Sequence, residues 1–424
     1  MSGSHTDAGD GAPGVGLSRR TTCVLLLVLA ATMAVSYWVE IVVNTFNEPL
    51  RVDQVGAATF DAPNFDFFQY YAGGHNWRLG LDPYQNHESD PQALQSPRVR
   101  DWGVSGYIYP PTFLPAYAAL SRLSYGVARH LWLAFNLVAL AAGIAVAALT
   151  AKGRRLEVVT AAVLLTMVSY PFLSHVHQGQ IDLVVAALTV SAFVLYPRWH
   201  GWPSAALLAI AIATKVTPVL VLGVMVLYFR DWRFLLKTLA CGAVLFAASL
   251  PWTGVALYRE YLSTTLPHIA VPDPSRFNQS FLRYLSKTPG VARVVSLGGY
   301  AALLLLSFLA GRNSRSLDDE SRTVPLQTER YAVLALAVAF LLFFSPLAWQ
   351  MGYVWMIVPM ALLLTARAPA ARPRAVLLLA AGAALTSLRV FELRGLNMLN
   401  VMGLAVTIVT LMLLYLPLET RESE

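Results

Sequence analysis

Residues 22–43 read TCVLLLVLAATMAVSYWVEIVV, from Thr22 to Val43, and follow directly on Arg19 and Arg20. Glu40 is the only charged residue in this run. About 20 consecutive apolar residues is the length that crosses a hydrocarbon core roughly 30 Å thick. The run is too long for the apolar part of a signal peptide, and no small-residue cleavage site follows it. It predicts an uncleaved first membrane helix with the N-terminus inside.

Beyond Val43 the same pattern recurs to residue 417. Apolar windows predict further helices at about 127–150, 157–173, 179–196, 202–215, 217–229, 234–252, 294–311, 331–346, 349–365, 375–388 and 398–417, making twelve spans in all. Of the 424 residues 56% are hydrophobic and 13% charged, where soluble domains carry roughly a quarter charged residues. The fold class is therefore an all-α, polytopic integral membrane protein. Its formal charge of +7 does not point to nucleic acid, because no basic stripe with interleaved aromatics occurs. Cys23 and Cys241 both sit in apolar segments, which rules out a disulfide framework and a cysteine metal site.

The Lys and Arg residues orient the chain, since short cytoplasmic loops hold the positive excess. Alternate junctions carry Arg154 and Arg155, then Arg198, then Arg230 and Arg233, then Arg312 to Arg330, then Arg367 to Arg374. This predicts a disordered cytoplasmic N-terminus over 1–21, a membrane domain over 22–417 and a cytoplasmic tail over 418–424. Two long loops, about 45–126 and 253–293, then lie outside, the first being the larger. Lys215 and Pro218 split one apolar stretch, so 202–229 reads as two helices or as one kinked one. Pro110 and Pro111 open a piece too short to cross, which places 112–123 at the interface or as a re-entrant helix.

A large outer loop after the first helix can carry catalytic groups at the membrane surface. Asn64-Phe65-Asp66-Phe67-Phe68-Gln69-Tyr70-Tyr71 puts a carboxylate among aromatics. Partial desolvation raises its basicity and suits it to take a proton from a hydroxyl; a helix N-cap is the plainer reading. Trp77 to Tyr84 reads as a helix ending at Gly80, followed by an Asp82-Pro83 turn. Tyr107 and Tyr109 precede Pro110 and belong either to an interfacial aromatic belt or to a binding site. Polar groups at membrane depth cost a few kcal/mol unless paired or facing water, and three places have them. His175, His177, Gln180 and Asp182 lack metal-ligand spacing and suit polar contacts in the bundle or with a headgroup. Lys215 beside Pro218 is a snorkelling cation or one aimed at a phosphate from a broken helix. Arg276, Asn278, Ser280 and Arg283 form a helix start with ordinary caps, or a sugar and phosphate site.

Taken in order, these motifs resemble glycosyltransferase family 87, membrane enzymes of the C-type glycosyltransferase fold that draw a sugar from a polyprenyl phosphate carrier. The matching residues are Asp66 to Tyr71 with Gly80 and Asp82 to Tyr84; Tyr107 or Tyr109 with Pro110 and Pro111; Gly179 and Gln180; Lys215, Thr217 and Pro218; Asn278 and Ser280; and Ser345, Pro346 and Trp349. The resemblance implies Asp66 as general base; the charge developing on the leaving phosphate calls for cations, for which Lys215, Arg276 and Arg283 are the candidates, and a single base without a covalent intermediate implies inversion at the anomeric carbon. Substrate contacts would come from Tyr70, Tyr71, Tyr84, Tyr109, His177, Gln180, Asp182, Asn278, Ser280 and Trp349. Two departures stand out: Gln350, Met351 and Gly352 occupy the place where the family often has a His, and Asp182 stands where an Asn is frequent.

The expected partners are a polyprenyl phosphate sugar, with mannose first and arabinofuranose second, a glycolipid or polysaccharide acceptor, and membrane lipids. Nucleic acid is not among them. No cofactor is expected, since a lone outer-loop Asp without a second carboxylate argues against a divalent metal. The expected setting is the plasma (inner) membrane with the active site on the outer face. The reading from another class is a lipid or oligosaccharide transporter, which would have no use for Asp66.

Overall fold

The structure, a computed structural model, describes residues 65–87, 89–94, 106–151, 153–199, 201–274, 278–316, 325–366, 373–387 and 398–414. The first predicted span, both predicted cytoplasmic ends and Arg276 lie outside the described residues. Among the described residues the secondary structure is helical, save one isolated bridge between Asn278 and Trp349.

Two helices precede the long apolar ones. α1 (Phe65–Arg78) ends at Gly80, whose φ of +81° is the left-handed geometry that closes helices. α2 (Leu114–Leu120) follows a 3-10 turn over Pro111–Phe113. The two pack closely because α1 has glycine at the crossing: a Cβ on Gly74 would lie 2.3 Å from the Tyr117 carbonyl carbon. The long first loop thus contains a small helical subassembly built on aromatic packing, with the Tyr70 and Tyr109 ring centroids 4.5 Å apart.

Then come α3 (Tyr125–Thr150), α4 (Arg155–Val168), α5 (Tyr170–Gln178), α6 (Asp182–Trp199), α7 (Trp202–Thr214), α8 (Val219–Phe229) and α9 (Trp232–Glu260). α10 (Pro289–Ser316), α11 (Leu326–Phe343), α12 (Ile357–Thr365), α13 (Pro373–Thr386) and α14 (Met398–Leu414) complete the order. α3, α9 with its continuation to Ile269, α10 and α11 are long and apolar enough to cross a membrane, and α4 with α5 makes a fifth. The protein is a multi-pass membrane protein. α11 is buried on every side from Tyr331 to Leu342, whereas α9 leaves Leu236, Leu239, Val244 and Trp252 exposed. An apolar surface of that kind faces lipid, and α11 is the central post.

Helices occur near every predicted position after residue 126, the two predicted over 202–229 included, with two differences. The helix predicted over 157–173 breaks at Ser169, where α4 and α5 bend by 70°; Ser169 Oγ accepts from the Phe172 N–H at 3.3 Å and Pro171 follows in the first turn. The helix predicted over 234–252 breaks close to its predicted end, at Gly254, but a further helical stretch follows, to Glu260 and through a π turn, Tyr261–Thr265. Gly254, at φ 67° and ψ 167°, is non-helical and kinks the chain there, and helical backbone resumes beyond it, so the irregular part of the second long loop starts near residue 270. The stretch 202–229 is two short helices: Lys215 is extended, with φ −151° and ψ 129°, and Pro218 starts the next. At 1.5 Å per residue, α8 rises roughly 16 Å, about half a bilayer core.

Candidate active site

A chamber of about 650 Å³ lies where α1, the Tyr109-Pro110 turn, the start of α6, the α7–α8 break and the segment before α12 meet. Asp66 stands in the first turn of α1, 1% exposed, and its Oδ1 accepts from Gln69 Nε2 at 3.4 Å. A helix N-terminus favours the ionised carboxylate there, opposing the cost of burial. The other carboxamide atom of Gln69, Oε1, is buried without a hydrogen-bond partner. So is Thr217 Oγ1, also on the chamber wall.

Gly179 brings the second group of residues to the chamber. It closes α5 with φ +70°, and a Cβ there would meet Phe67 Cβ at 2.6 Å. Gly179 is therefore the point where α1 touches the α5–α6 corner, and the next residue, Gln180, turns toward Tyr70 and Tyr109. Both phenols donate to Gln180 Oε1, at 3.0 and 3.2 Å. Burial, reinforced for Tyr70 by the neighbouring phenols and for Tyr109 by the Asp66 carboxylate, pushes both phenols well above their ordinary range. They stay protonated and act as donors at any physiological pH. With its oxygen taken, Gln180 has its amide N–H groups left to offer the chamber.

Lys215 supplies the chamber's cation. Its Nζ lies 2.8 Å from Asp182 Oδ1, which also accepts from Trp355 Nε1 at 2.9 Å. Asp182 is buried, while the Lys215 side chain keeps 26% exposure. The pair fixes the ammonium group at the chamber and leaves it able to meet an anion. Away from this polar end, Leu220, Gly223, Leu304, Leu341 and Leu342 make an apolar flank between α8, α10 and α11.

Of the residues singled out from sequence, Asp66, Tyr109, Gln180, Asp182, Lys215 and Trp349 line this one chamber. Tyr70 stands behind it, holding Gln180. Tyr84 donates to the Tyr109 carbonyl at 2.5 Å, and so supports the wall without being part of it. Tyr71 points to the Leu123 carbonyl, 2.9 Å away, and half-buried His177 is off the wall. Asn278 Nδ2 donates to the carbonyls of Asp273 and Pro346, while its Oδ1 accepts from the N–H groups of Ser280 and Ala348. It fastens two loops and is not on the wall. Buried Ser280 is likewise off the wall, as is Arg283, whose guanidinium lies over the Tyr284 ring. Arg276 lies outside the described residues. The sequence reading named Gln69 and Thr217 only within motifs and gave them no contact, and it passed over the wall residues Asp273 and Trp355. Gln69 was legible in principle, being one helical turn from Asp66; Trp355 was not, since only the fold carries it to Asp182.

The sequence model of glycosyltransferase family 87 matches residues 107–323, just over half of the chain. The chain belongs to glycosyltransferase family 87. The matched span holds Tyr109, Gln180, Asp182 and Lys215; Asp66 precedes it. The family 87 chain is also 30% identical over 286 residues to the polyprenol-phosphate-mannose-dependent alpha-(1-2)-phosphatidylinositol mannoside mannosyltransferase of Mycolicibacterium smegmatis. That alignment covers 59% of this chain and 60% of the relative. No solved structure matches the chain.

Proposed function

We propose that the chain transfers a sugar, mannose in the first instance, from a polyprenyl phosphate carrier to a glycolipid or polysaccharide acceptor on the outer face of the plasma membrane. Asp66 takes the proton of the acceptor hydroxyl as its oxygen attacks the anomeric carbon. The bond from that carbon to the phosphate oxygen breaks, and polyprenyl phosphate leaves with one more negative charge than the donor carried. Lys215 faces that charge, and Arg276 is the further cation proposed for the same anion, since a developing charge calls for preorganised cations. One base and no covalent intermediate give inversion, so a β-linked donor yields an α-linked product. Gln69 Oε1 and Thr217 Oγ1, buried and unpartnered, are placed to bond sugar hydroxyls, because leaving them unmade costs about 1–3 kcal/mol each. The mechanism needs no metal.

The observation that carries this reading is the pairing, in one chamber, of a carboxylate and a cation at the polar end with an apolar flank for a prenyl chain. The mycobacterial relative, by its name, uses a polyprenol-phosphate-mannose donor and a phosphatidylinositol mannoside acceptor. The test is transfer of labelled sugar from short-chain polyprenyl phosphate donors, mannosyl and arabinofuranosyl in parallel, by wild type and Asp66→Asn at equal folded amount. Loss of a general base lowers the rate about 10²–10⁴-fold. Normal transfer by Asp66→Asn removes Asp66 from the chemistry. Transfer from neither donor by the wild type moves the assignment to transport.

A further inference from the structure

A second cleft, of about 700 Å³, lies at the other end of the helices that wall the chamber. α8 runs from Val219 at the chamber to Phe229 at the cleft, and α11 from Arg330 at the cleft to Leu341 at the chamber. At 1.5 Å per residue, α11 separates the two by roughly 16 Å. The floor of the cleft depends on Gly311: a Cβ there would fall 2.2 Å from the Tyr228 carbonyl oxygen.

Four arginines from three parts of the chain line this cleft: Arg230, Arg233, Arg315 and Arg330. Topology alone places arginines on this side of the bundle, but it does not gather them around one cavity. None of the four is ion-paired among the described residues. The acids of the described residues nearest to the cleft, Asp231 and Glu329, are engaged with other groups. Asp231 accepts the Tyr196 phenol at 2.7 Å and the N–H groups of Arg233 and Phe234, capping α9. Glu329 accepts the Tyr228 phenol at 2.7 Å. The guanidinium groups rest on neutral partners instead. Arg315 donates to the Phe229 carbonyl at 2.6 Å, Arg330 lies over the Phe229 ring at 5.9 Å, and Arg230 over Phe308 at 5.7 Å. Arg330 Nε is buried without an acceptor. Arg230 has a φ of 51°, the only positive value for a non-glycine residue among those described, in a region such residues seldom occupy.

We propose that this cleft binds a phosphate dianion, either free or as a monoester headgroup. Several planar guanidinium forks without carboxylate partners among the described residues, around a cavity of this size, match the charge and the acceptor oxygens of a tetrahedral dianion. Two sources present that chemistry: the headgroup of phosphatidic acid in the adjoining leaflet, and inorganic phosphate in solution. The proposal concerns binding at a place remote from the chamber and does not depend on the transferase reading.

The experiment is thermal unfolding of the full-length protein in micelles, with phosphatidic acid, phosphatidylcholine or inorganic phosphate titrated in at fixed ionic strength. The expected result is a rise in Tm with phosphatidic acid or inorganic phosphate and none with phosphatidylcholine. Arg315→Gln/Arg330→Gln should weaken the apparent affinity at least about tenfold. Arg233→Gln, an exposed position that leaves packing intact, should weaken it several-fold, and this variant decides the matter if the double variant does not fold. Arg155→Gln, exposed at the start of α4, should bind as wild type. A response to phosphatidic acid alone assigns the lipid, and a response to inorganic phosphate assigns the soluble ion. No Tm rise in wild type, or equal losses in Arg155→Gln and the cleft variants, overturns the proposal. So does a response that appears only after Asp318→Asn, Asp319→Asn and Glu320→Gln, because the chain's own carboxylates would then fill the cleft.

Discussion

Gln69 uses its two carboxamide atoms differently. Its Nε2 donates to Asp66 and steadies the carboxylate, while Oε1 remains buried and unpartnered at the chamber. A group in that state is a gain for any ligand hydroxyl that reaches it. Gln69→Leu keeps the volume and removes both bonds. In the transferase reading it should raise the acceptor KM about tenfold, the equivalent of roughly 1.4 kcal/mol, and lower kcat less. Steady-state kinetics on a purified acceptor checks this; an unchanged KM with a collapsed kcat would make Gln69 a partner of Asp66 only. Gln180 shows how far a single residue was readable. The Gly179-Gln180 pair stood out in the sequence, but the two phenols that fix the Gln180 oxygen come from residues 110 and 71 positions away.

Among the elements, the α7–α8 break decides where the chamber's charge sits. Ending one helix at Thr214 and starting the next at Val219 leaves Lys215 in extended backbone, from which its ammonium reaches Asp182 at the start of α6. Removing one partner of a buried pair leaves the other charge uncompensated and costs about 3–5 kcal/mol. Lys215→Gln should therefore destabilise the protein strongly, less than the full amount because Lys215 is partly exposed. Lys215→Gln/Asp182→Asn should recover much of the loss in thermal unfolding while staying inactive in transfer. Equal destabilisation by the single and double variants would mean that the pair does not hold α6 to the break. The break itself was visible in the sequence as Lys215 and Pro218 interrupting an apolar run. Its meaning was not, since the two helices it separates are each too short to be told from one kinked span by hydropathy.

For the whole molecule, two expectations follow from the proposed arrangement. With Cys23 and Cys241 replaced, a cysteine at Gln92 should react with a membrane-impermeant maleimide in intact cells, and one at Arg312 only after permeabilisation. The reverse pattern would invert the topology and put the chamber on the inside. Because the leaving phosphate is assigned to cationic side chains, EDTA should leave the transfer rate within about twofold of its untreated value, which is under 0.5 kcal/mol in the barrier. A rate abolished by EDTA and restored by a divalent ion would replace that part of the mechanism.

Composition and apolar periodicity alone determined that the chain is helical and crosses a membrane many times, because hydrocarbon forbids unsatisfied backbone and sets a minimum run length. Short motifs also determined most of the chamber's polar residues, since Asp66, Gln180, Asp182 and Lys215 are costly side chains in unusual places. The tertiary structure decided which of them meet. It turned Asn278 into a loop fastener, set Tyr84 behind the wall, brought Trp355 to Asp182, and resumed helix beyond the kink at Gly254, near which hydropathy ended it. Those outcomes depend on contacts between residues tens to hundreds of positions apart, whereas the membrane's demands act on each segment separately.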